Sequence, residues 1–137
     1  MRDRLNISKE EYRAIEPILK EISSRVEREI TLNELLNDWR YFVEEIARGY
    51  NDSLDDYTND LSIRDLLEDI MRRIPRPLKD KINNVLNPID KKFFIVTKEI
   101  EKSLLYKVDA GSWWYRIPMN YSGEFEEDLK SLGFIED

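Results

Sequence analysis

The feature that most constrains the fold is a long apolar stripe with helical spacing between Leu32 and Tyr50. Its apolar positions recur every three or four residues and form one broad face. They are Leu32, Leu35, Leu36, Trp39, Phe42, Val43, Ile46 and Tyr50. Thr31 and Glu34 have capping-box spacing at its start, and Gly49 is a stop signal at its end. Because so wide an apolar face must be covered, we predict a helix at the centre of the core.

A first helix is predicted near the N-terminus. Ser8 and Glu11 have the spacing of another capping box. They precede apolar residues that repeat at three and four positions as far as Val26. Pro17 lies inside this stretch, so the helix either begins late, near Glu16, or bends at the proline.

The middle of the chain predicts further helices separated by polar or proline-rich breaks. Residues 51–59 are polar and are expected to form a loop or an irregular turn. A third helix is predicted to begin at Ser62 and to end before Pro75, followed by a short helix over 77–86 that Asn87-Pro88 closes. Apolar residues then keep helical spacing over 89–104, which favours a helix over a buried strand.

The last third of the chain predicts a small sheet and a final helix. Residues 105–108 and 112–117 have high β propensity and flank the turn signal Asp109-Ala110-Gly111, which is typical of a short hairpin. Ser122 precedes an acidic helical turn, and Gly133 ends that helix. The predicted fold is mainly α: a single domain over 1–137, with about five helices in a bundle and a small C-terminal β-hairpin.

The absence of two residue types narrows the chemistry. The chain has 137 residues and contains no His and no Cys. Disulfides, Cys or His zinc sites, Ser-His-Asp triads and imidazole pH switches are therefore excluded. No apolar run is long enough for a membrane span, and the N-terminus lacks the apolar region of a signal peptide. We expect a cytoplasmic protein without membrane attachment.

Patterns that would indicate catalysis, cofactors or nucleic acid are missing as well. An EF-hand calcium loop beginning at Asp52 would need Gly in place of Tyr57 and Glu in place of Ile63. The four glycines are too scattered for a phosphate-binding loop. The net charge of −7 disfavours direct nucleic-acid binding. We expect no enzymatic activity, no cofactor and no metal.

Charge is distributed unevenly along the chain. Residues 1–70 contain 10 basic and 18 acidic residues, whereas residues 71–137 contain 12 basic and 11 acidic ones. The acids are densest from Asp52 to Asp69. A basic cluster follows at once: Arg72, Arg73, Arg76, Lys79 and Lys81. The acidic run is either an ordinary solvated surface or a docking surface that speeds association with a basic partner.

Two segments are candidate partner-binding surfaces. In the first, carboxylates would engage basic groups and tyrosines would add contact area. Its residues are Tyr50, Asp52, Asp55, Asp56, Tyr57 and Asp60. The second consists of Trp114 and Arg116, whose residue types are frequent at binding hot spots. On a strand, these two side chains would face away from Trp113, Tyr115 and Ile117, which would cover the bundle.

In size, acidity and helical character the chain is similar to bacterial toxin-immunity and antitoxin proteins. That resemblance implies a basic protein partner, such as a nuclease-type toxin domain whose active site is blocked by charge-steered occlusion. The chain would then act as a monomer or a small homo-oligomer. The alternatives are a regulatory or scaffold subunit that uses Trp114 and Arg116, and a carboxylate-dependent hydrolase.

Overall fold

The computed structural model describes residues 7–104 and 111–136. Within them lie five α-helices, a short 3₁₀ helix and a two-stranded antiparallel sheet. The helices are α1 Lys9–Val26, α2 Leu32–Arg48, α3 Leu54–Arg72, α4 Arg76–Val96 and α5 Gly123–Ser131. The 3₁₀ helix Ser112–Tyr115 leads into β2 Arg116–Pro118, which pairs with β1 Thr97–Glu99. This helical bundle with a small sheet confirms the predicted fold class.

The capping box of α1 forms as predicted, but the helix does not begin late. The Ser8 amide donates to Glu11 Oε1 at 3.0 Å, and the Glu11 amide donates to Ser8 Oγ at 3.1 Å. The helix starts at Lys9 and continues through Pro17. Of the two predicted alternatives, the late start near Glu16 is therefore wrong. The proline removes one backbone donor, and the reciprocal cap and the buried apolar face offset that loss.

The central position of α2 is confirmed. Thr31 Oγ1 accepts the Glu34 amide at 3.1 Å, and the helix ends at Gly49, whose φ of +106° favours glycine. Every apolar residue of its stripe is buried. α2 packs against both α3 and α4, so the widest apolar face occupies the middle of the bundle.

The polar stretch 51–59 is helical for most of its length and forms the start of α3, which corrects the loop expected there. Ser53 Oγ accepts the Asp56 amide at 3.1 Å, and the helix begins at Leu54 rather than at Ser62. Leu54 and Tyr57 are both buried and extend the apolar face of α3 backwards. Asp55 and Asp56 lie in its first turn, where the positive end of the helix dipole stabilises carboxylates.

Two predicted helices are one continuous helix. α4 runs from Arg76 to Val96 with Pro88 inside it, so Asn87-Pro88 does not close a short helix. The buried Leu86 and Ile89 hold both sides of the proline in the core. The helix expected over 89–104 ends at Val96, and the chain continues as β1.

The small sheet forms with a different partner strand from the predicted one. Residues 105–110, which include the predicted first arm and its turn, lie outside the described residues. Ser112–Tyr115 is a 3₁₀ helix rather than a strand, and β2 instead pairs with β1 in the register Thr97 with Pro118 and Glu99 with Arg116.

The core is a connected set of apolar side chains to which all five helices contribute. At one end of α2, four aromatic rings pack with centroids 5.1 to 6.1 Å apart. They belong to Phe42, Tyr50, Tyr57 and Phe125. Among the described residues, no helix combines the length and the apolar character that a bilayer crossing requires.

Candidate functional site

A cleft of about 640 Å³ lies along the junction of α2 and α3. We call it the α2–α3 cleft. Its charged lining residues are Asp38, Glu45, Asp52, Asp56, Asp60 and Arg28. Its apolar and aromatic lining residues are Val26, Tyr41, Phe42, Ile63 and Leu66. Arg28 is the one cation among the described lining residues, so the cleft carries a strong excess of negative charge.

Helix geometry explains why these acids meet. Asp38 and Glu45 are seven residues apart on α2, and Asp56 and Asp60 are four apart on α3, so each pair shares one helix face. Asp52 belongs to the connection between the two helices. The apolar stripes of α2 and α3 pack together, and the acidic rows beside those stripes are thereby brought face to face.

Burial and like charge disturb the titration of this group. Burial, followed by repulsion from Glu45, Asp56, Asp38 and Asp52, raises the pKa of Asp60 to about 6. Burial also raises the pKa of Asp38, although Arg28 opposes the change. The pKa of Glu45 is raised by burial and then by Asp52. These carboxylates are ionised at a cost that a bound cation would reduce.

The four aspartates predicted as a binding surface lie on or beside this cleft. Asp52, Asp56 and Asp60 line it. Asp55 lines a neighbouring open depression together with Asp56 and Asp65. The structure therefore brings the predicted acids together on the first turns of α3 and the residues just before it.

Tyr50 and Tyr57 do not supply contact area, which corrects their predicted role. They are 1% and 0% exposed and belong to the aromatic cluster of the core. Their spacing already agreed with burial, since Tyr50 ends the stripe of α2. The exposed aromatic side chain at the cleft is instead Tyr41, which is 63% exposed. The signal that sequence reasoning missed is its position on α2 between Asp38 and Glu45.

Trp114 and Arg116 do not form an exposed face either. Trp114 is 2% exposed, and its indole nitrogen donates to Asp65 Oδ2 at 2.9 Å. The Trp113 indole donates to Asp65 Oδ1 at 2.8 Å. The predicted alternation of faces does not apply because the segment is a 3₁₀ helix. The predicted hot-spot role of Trp114 is therefore wrong.

The Arg116 guanidinium is committed to contacts within the fold. Its Nη2 donates to the Thr97 carbonyl at 2.8 Å and to the Phe94 carbonyl at 3.1 Å. Its Nε donates to Thr97 Oγ1 at 2.8 Å. These bonds and the Phe94 ring, 4.9 Å from the guanidinium carbon, hold the side chain against the end of α4.

The α2–α3 cleft is acidic, so its charge is complementary to that of a cationic group. Among the described residues, no group of three acids converges closely enough to hold a metal ion. No protein-family model, curated protein sequence or solved structure matches this chain.

Proposed function

We propose that this chain is a non-enzymatic protein-binding module, most concretely a cytoplasmic bacterial immunity or antitoxin protein. Its partner would be a basic, nuclease-type toxin. The observation that carries the proposal is the α2–α3 cleft, where five carboxylates face a single arginine beside the exposed ring of Tyr41.

The mechanism would be charge-steered occlusion. A nuclease active site concentrates cationic side chains that bind phosphates. Asp52, Asp55, Asp56 and Asp60 place carboxylates on one surface, where they can occupy those positions. Focused charge of this kind accelerates association by roughly 10 to 1,000-fold at low salt. The apolar wall of Val26, Ile63 and Leu66 suits the aliphatic stems of Arg and Lys side chains.

The first test combines partner capture with charge reversal. A pull-down with the tagged protein from its source lysate, at about 50 mM and about 500 mM salt, identifies the partner. Loss of the partner at the higher concentration shows that binding is electrostatic, because salt screens exposed charges. Asp55→Lys with Asp56→Lys should then slow association at least tenfold and weaken its salt dependence. Surface plasmon resonance at both salt concentrations measures the two effects.

The matched control reverses two other acids in first helical turns, Glu10 of α1 and Glu124 of α5. Glu10→Lys with Glu124→Lys makes the same change in net charge and incurs a similar helix-dipole penalty. Equal association rates for the control and for the variant with Asp55→Lys and Asp56→Lys would show that the partner binds elsewhere. Capture of no partner at either salt concentration would contradict the proposed function.

A carboxylate-dependent hydrolase is the second candidate, and one observation favours it. Asp60, with its pKa raised to about 6, lies in the same cleft as four other acids. Carboxyls with different pKa values can divide the roles of acid and base. An activity screen in which Asp60→Asn abolishes turnover while the fold remains intact would favour the hydrolase.

A further inference from the structure

A group of exposed apolar side chains lies where α4 ends and the small sheet begins. Ile95 is 67% exposed, Met119 is 53% exposed and Phe94 is 42% exposed. They are three of the six large apolar side chains that the described part of the chain exposes. Phe94 and Ile95 belong to the last turn of α4, and the Met119 amide donates to the carbonyl of the next residue, Val96, at 2.9 Å. Backbone pairing therefore brings Met119 to the apolar end of the helix.

Three lysines border these apolar side chains. Lys91 and Lys92 precede Ile95 by four and three residues, so they lie on its side of α4. Lys98 follows in β1. All three lysines are exposed, and none forms an ion pair with a described acid. We use the name α4 patch for Lys91, Lys92, Phe94, Ile95, Lys98 and Met119.

The charge of the α4 patch is opposite to the net charge of the chain, which is −7. The acids next to it in sequence are Asp90 and Glu99, and Asp90 is already paired with Arg64. No described residue of α4, β1 or β2 lines the acidic α2–α3 cleft. Charges more than about 10 Å from a binding surface are largely screened at about 0.1 M salt. An anionic surface in contact with the α4 patch therefore meets mainly its lysines.

The Phe94 ring is held in place before any binding. Its centroid lies 5.6 Å from that of the buried Phe93 ring, and the guanidinium carbon of Arg116 lies 4.9 Å from it. A side chain fixed in this way loses little conformational freedom when a partner covers it. The α4 patch thus presents an ordered apolar group among mobile charges.

The residue types of the α4 patch favour a lipid surface over a protein. Protein interfaces are depleted in lysine and enriched in arginine. Exposed apolar side chains bordered by lysines are typical of elements that lie at the surface of a membrane, where the ammonium groups attract anionic lipids. A second copy of the chain, docked about a twofold axis, would bring the lysines of two patches together, and their repulsion opposes that contact.

We propose that the α4 patch attaches the protein reversibly to an anionic membrane surface. Phe94, Ile95 and Met119 would enter the headgroup boundary while the three lysines bind lipid phosphates. The sequence predicts no membrane attachment because no segment can span a bilayer, but contact at the surface needs no such segment. The inference is independent of the proposed function, since the α4 patch shares no residue with the α2–α3 cleft.

The test is flotation of the full chain with vesicles of phosphatidylcholine that contain about 30% phosphatidylglycerol. Vesicles of phosphatidylcholine alone are the control. The protein should bind the anionic vesicles at about 50 mM salt, bind them at least tenfold more weakly at about 500 mM, and leave the control vesicles unbound.

Charge variants measure the contribution of the lysines. Lys91→Gln with Lys92→Gln should weaken vesicle binding about twentyfold, since each lysine near an anionic surface strengthens binding about fivefold. The matched control is Lys9→Gln with Lys79→Gln, which makes the same change in net charge at the starts of α1 and α4. The control should bind the vesicles as the unchanged chain does.

Apolar variants and labels locate the contact. Ile95→Ser should weaken binding about fivefold, whereas Leu132→Ser, at a similarly exposed position, should have no effect. The chain contains no Cys, so a single introduced cysteine carries a fluorophore at one position only. An environment-sensitive fluorophore on Ile95→Cys should shift to shorter wavelength with anionic vesicles, and the same label on Leu132→Cys should not.

Absence of flotation at about 50 mM salt would overturn the proposal. Equal binding to both kinds of vesicle would also overturn it, because the lysines would then have no role. A shift of the Leu132→Cys label alone would show that another face contacts the lipid. If the chain does not float but the Lys91 and Lys92 variant loses a protein partner captured by the pull-down, the α4 patch is a protein-binding surface instead.

Discussion

At the scale of single residues, Asp60 is ionised at a cost to the folded protein. Its surroundings raise the pKa to about 6, from an ordinary value of 3.8. The folded protein therefore binds the proton more tightly than the unfolded chain does. The free energy of unfolding falls as pH rises from about 4 to about 6, and it stays reduced above that range. Below about pH 4 both states are protonated and the difference vanishes.

We predict that Asp60→Asn stabilises the protein by about 1 kcal/mol at pH 7.5, a value that allows for partial solvent screening. The gain should shrink to nothing below about pH 4, because the amide mimics the protonated acid. Urea denaturation at pH 7.5, 5.5 and 4.0 measures this trend. The exposed Asp80→Asn is the control, and a gain that is independent of pH would contradict the explanation.

At the scale of elements, Arg116 completes the end of α4. The last carbonyls of a helix lack partners within it, and the dipole there favours positive charge. α4 has no basic residue in its last turn. Arg116 of β2 supplies the missing charge and donates to the carbonyls of Phe94 and Thr97. A strand distant in sequence thus determines where α4 stops.

Arg116→Ala should lower the free energy of unfolding by about 2 to 3 kcal/mol, because three hydrogen bonds to Thr97 and Phe94 are lost. Arg116→Lys should be intermediate, since it retains the charge without the planar fork. Urea denaturation measures both. Arg72→Ala, at an exposed position in the last turn of α3, should cost about 0.5 kcal/mol or less. Similar losses for the Arg116 and Arg72 variants would contradict the capping role.

The contacts of Arg116 also show why some helix boundaries could be predicted from the sequence and others could not. Local signals predicted the starts of α1 and α2 at Ser8 and Thr31, because both caps use side chains next to the helix. The end of α4 depends on a residue in another strand, which spacing alone does not show. The spacing of Ser53 and Asp56 indicates the start of α3, but the many acidic residues there are also typical of a loop.

At the scale of the whole molecule, an ion pair between the buried Arg64 and the partly buried Asp90 lies among the three central helices. Arg64 of α3 donates to both oxygens of Asp90 on α4, at 3.0 and 2.9 Å. Asp90 Oδ1 also accepts the indole of Trp39 on α2 at 2.9 Å. Glu68 accepts a further Arg64 donor at 3.0 Å. The Asp90 carboxylate therefore links side chains of α2, α3 and α4.

Asp90→Ala should cost about 3 kcal/mol, because it leaves the buried Arg64 without its main counter-charge. Replacing both partners, Arg64→Met with Asp90→Leu, should recover roughly half of that loss since no buried charge remains. Thermal and urea unfolding measure the free energies. A double variant less stable than Asp90→Ala would show that the pair contributes more than the charge penalty explains.

Only part of the candidate site could be predicted from the sequence. The acids Asp52, Asp56 and Asp60 stand out in the sequence because they are close together along it. Asp38 and Glu45 belong to another helix, and only the packing of α2 on α3 brings them to the same cleft. The apolar pattern of α2 predicts which face of the helix carries these two acids, but it does not predict that α3 packs beside that face.

The first turn of α3 depends on residues made much later. Asp128 of α5 accepts the Leu54 amide at 2.9 Å, and the Tyr57 hydroxyl donates to the Arg116 carbonyl at 2.8 Å. Tyr50 pairs with Tyr121 beside them. During synthesis, α1 to α4 leave the ribosome before any of these partners. The nascent chain thus carries its acidic residues before it contains the later residues that hold the start of α3 in place.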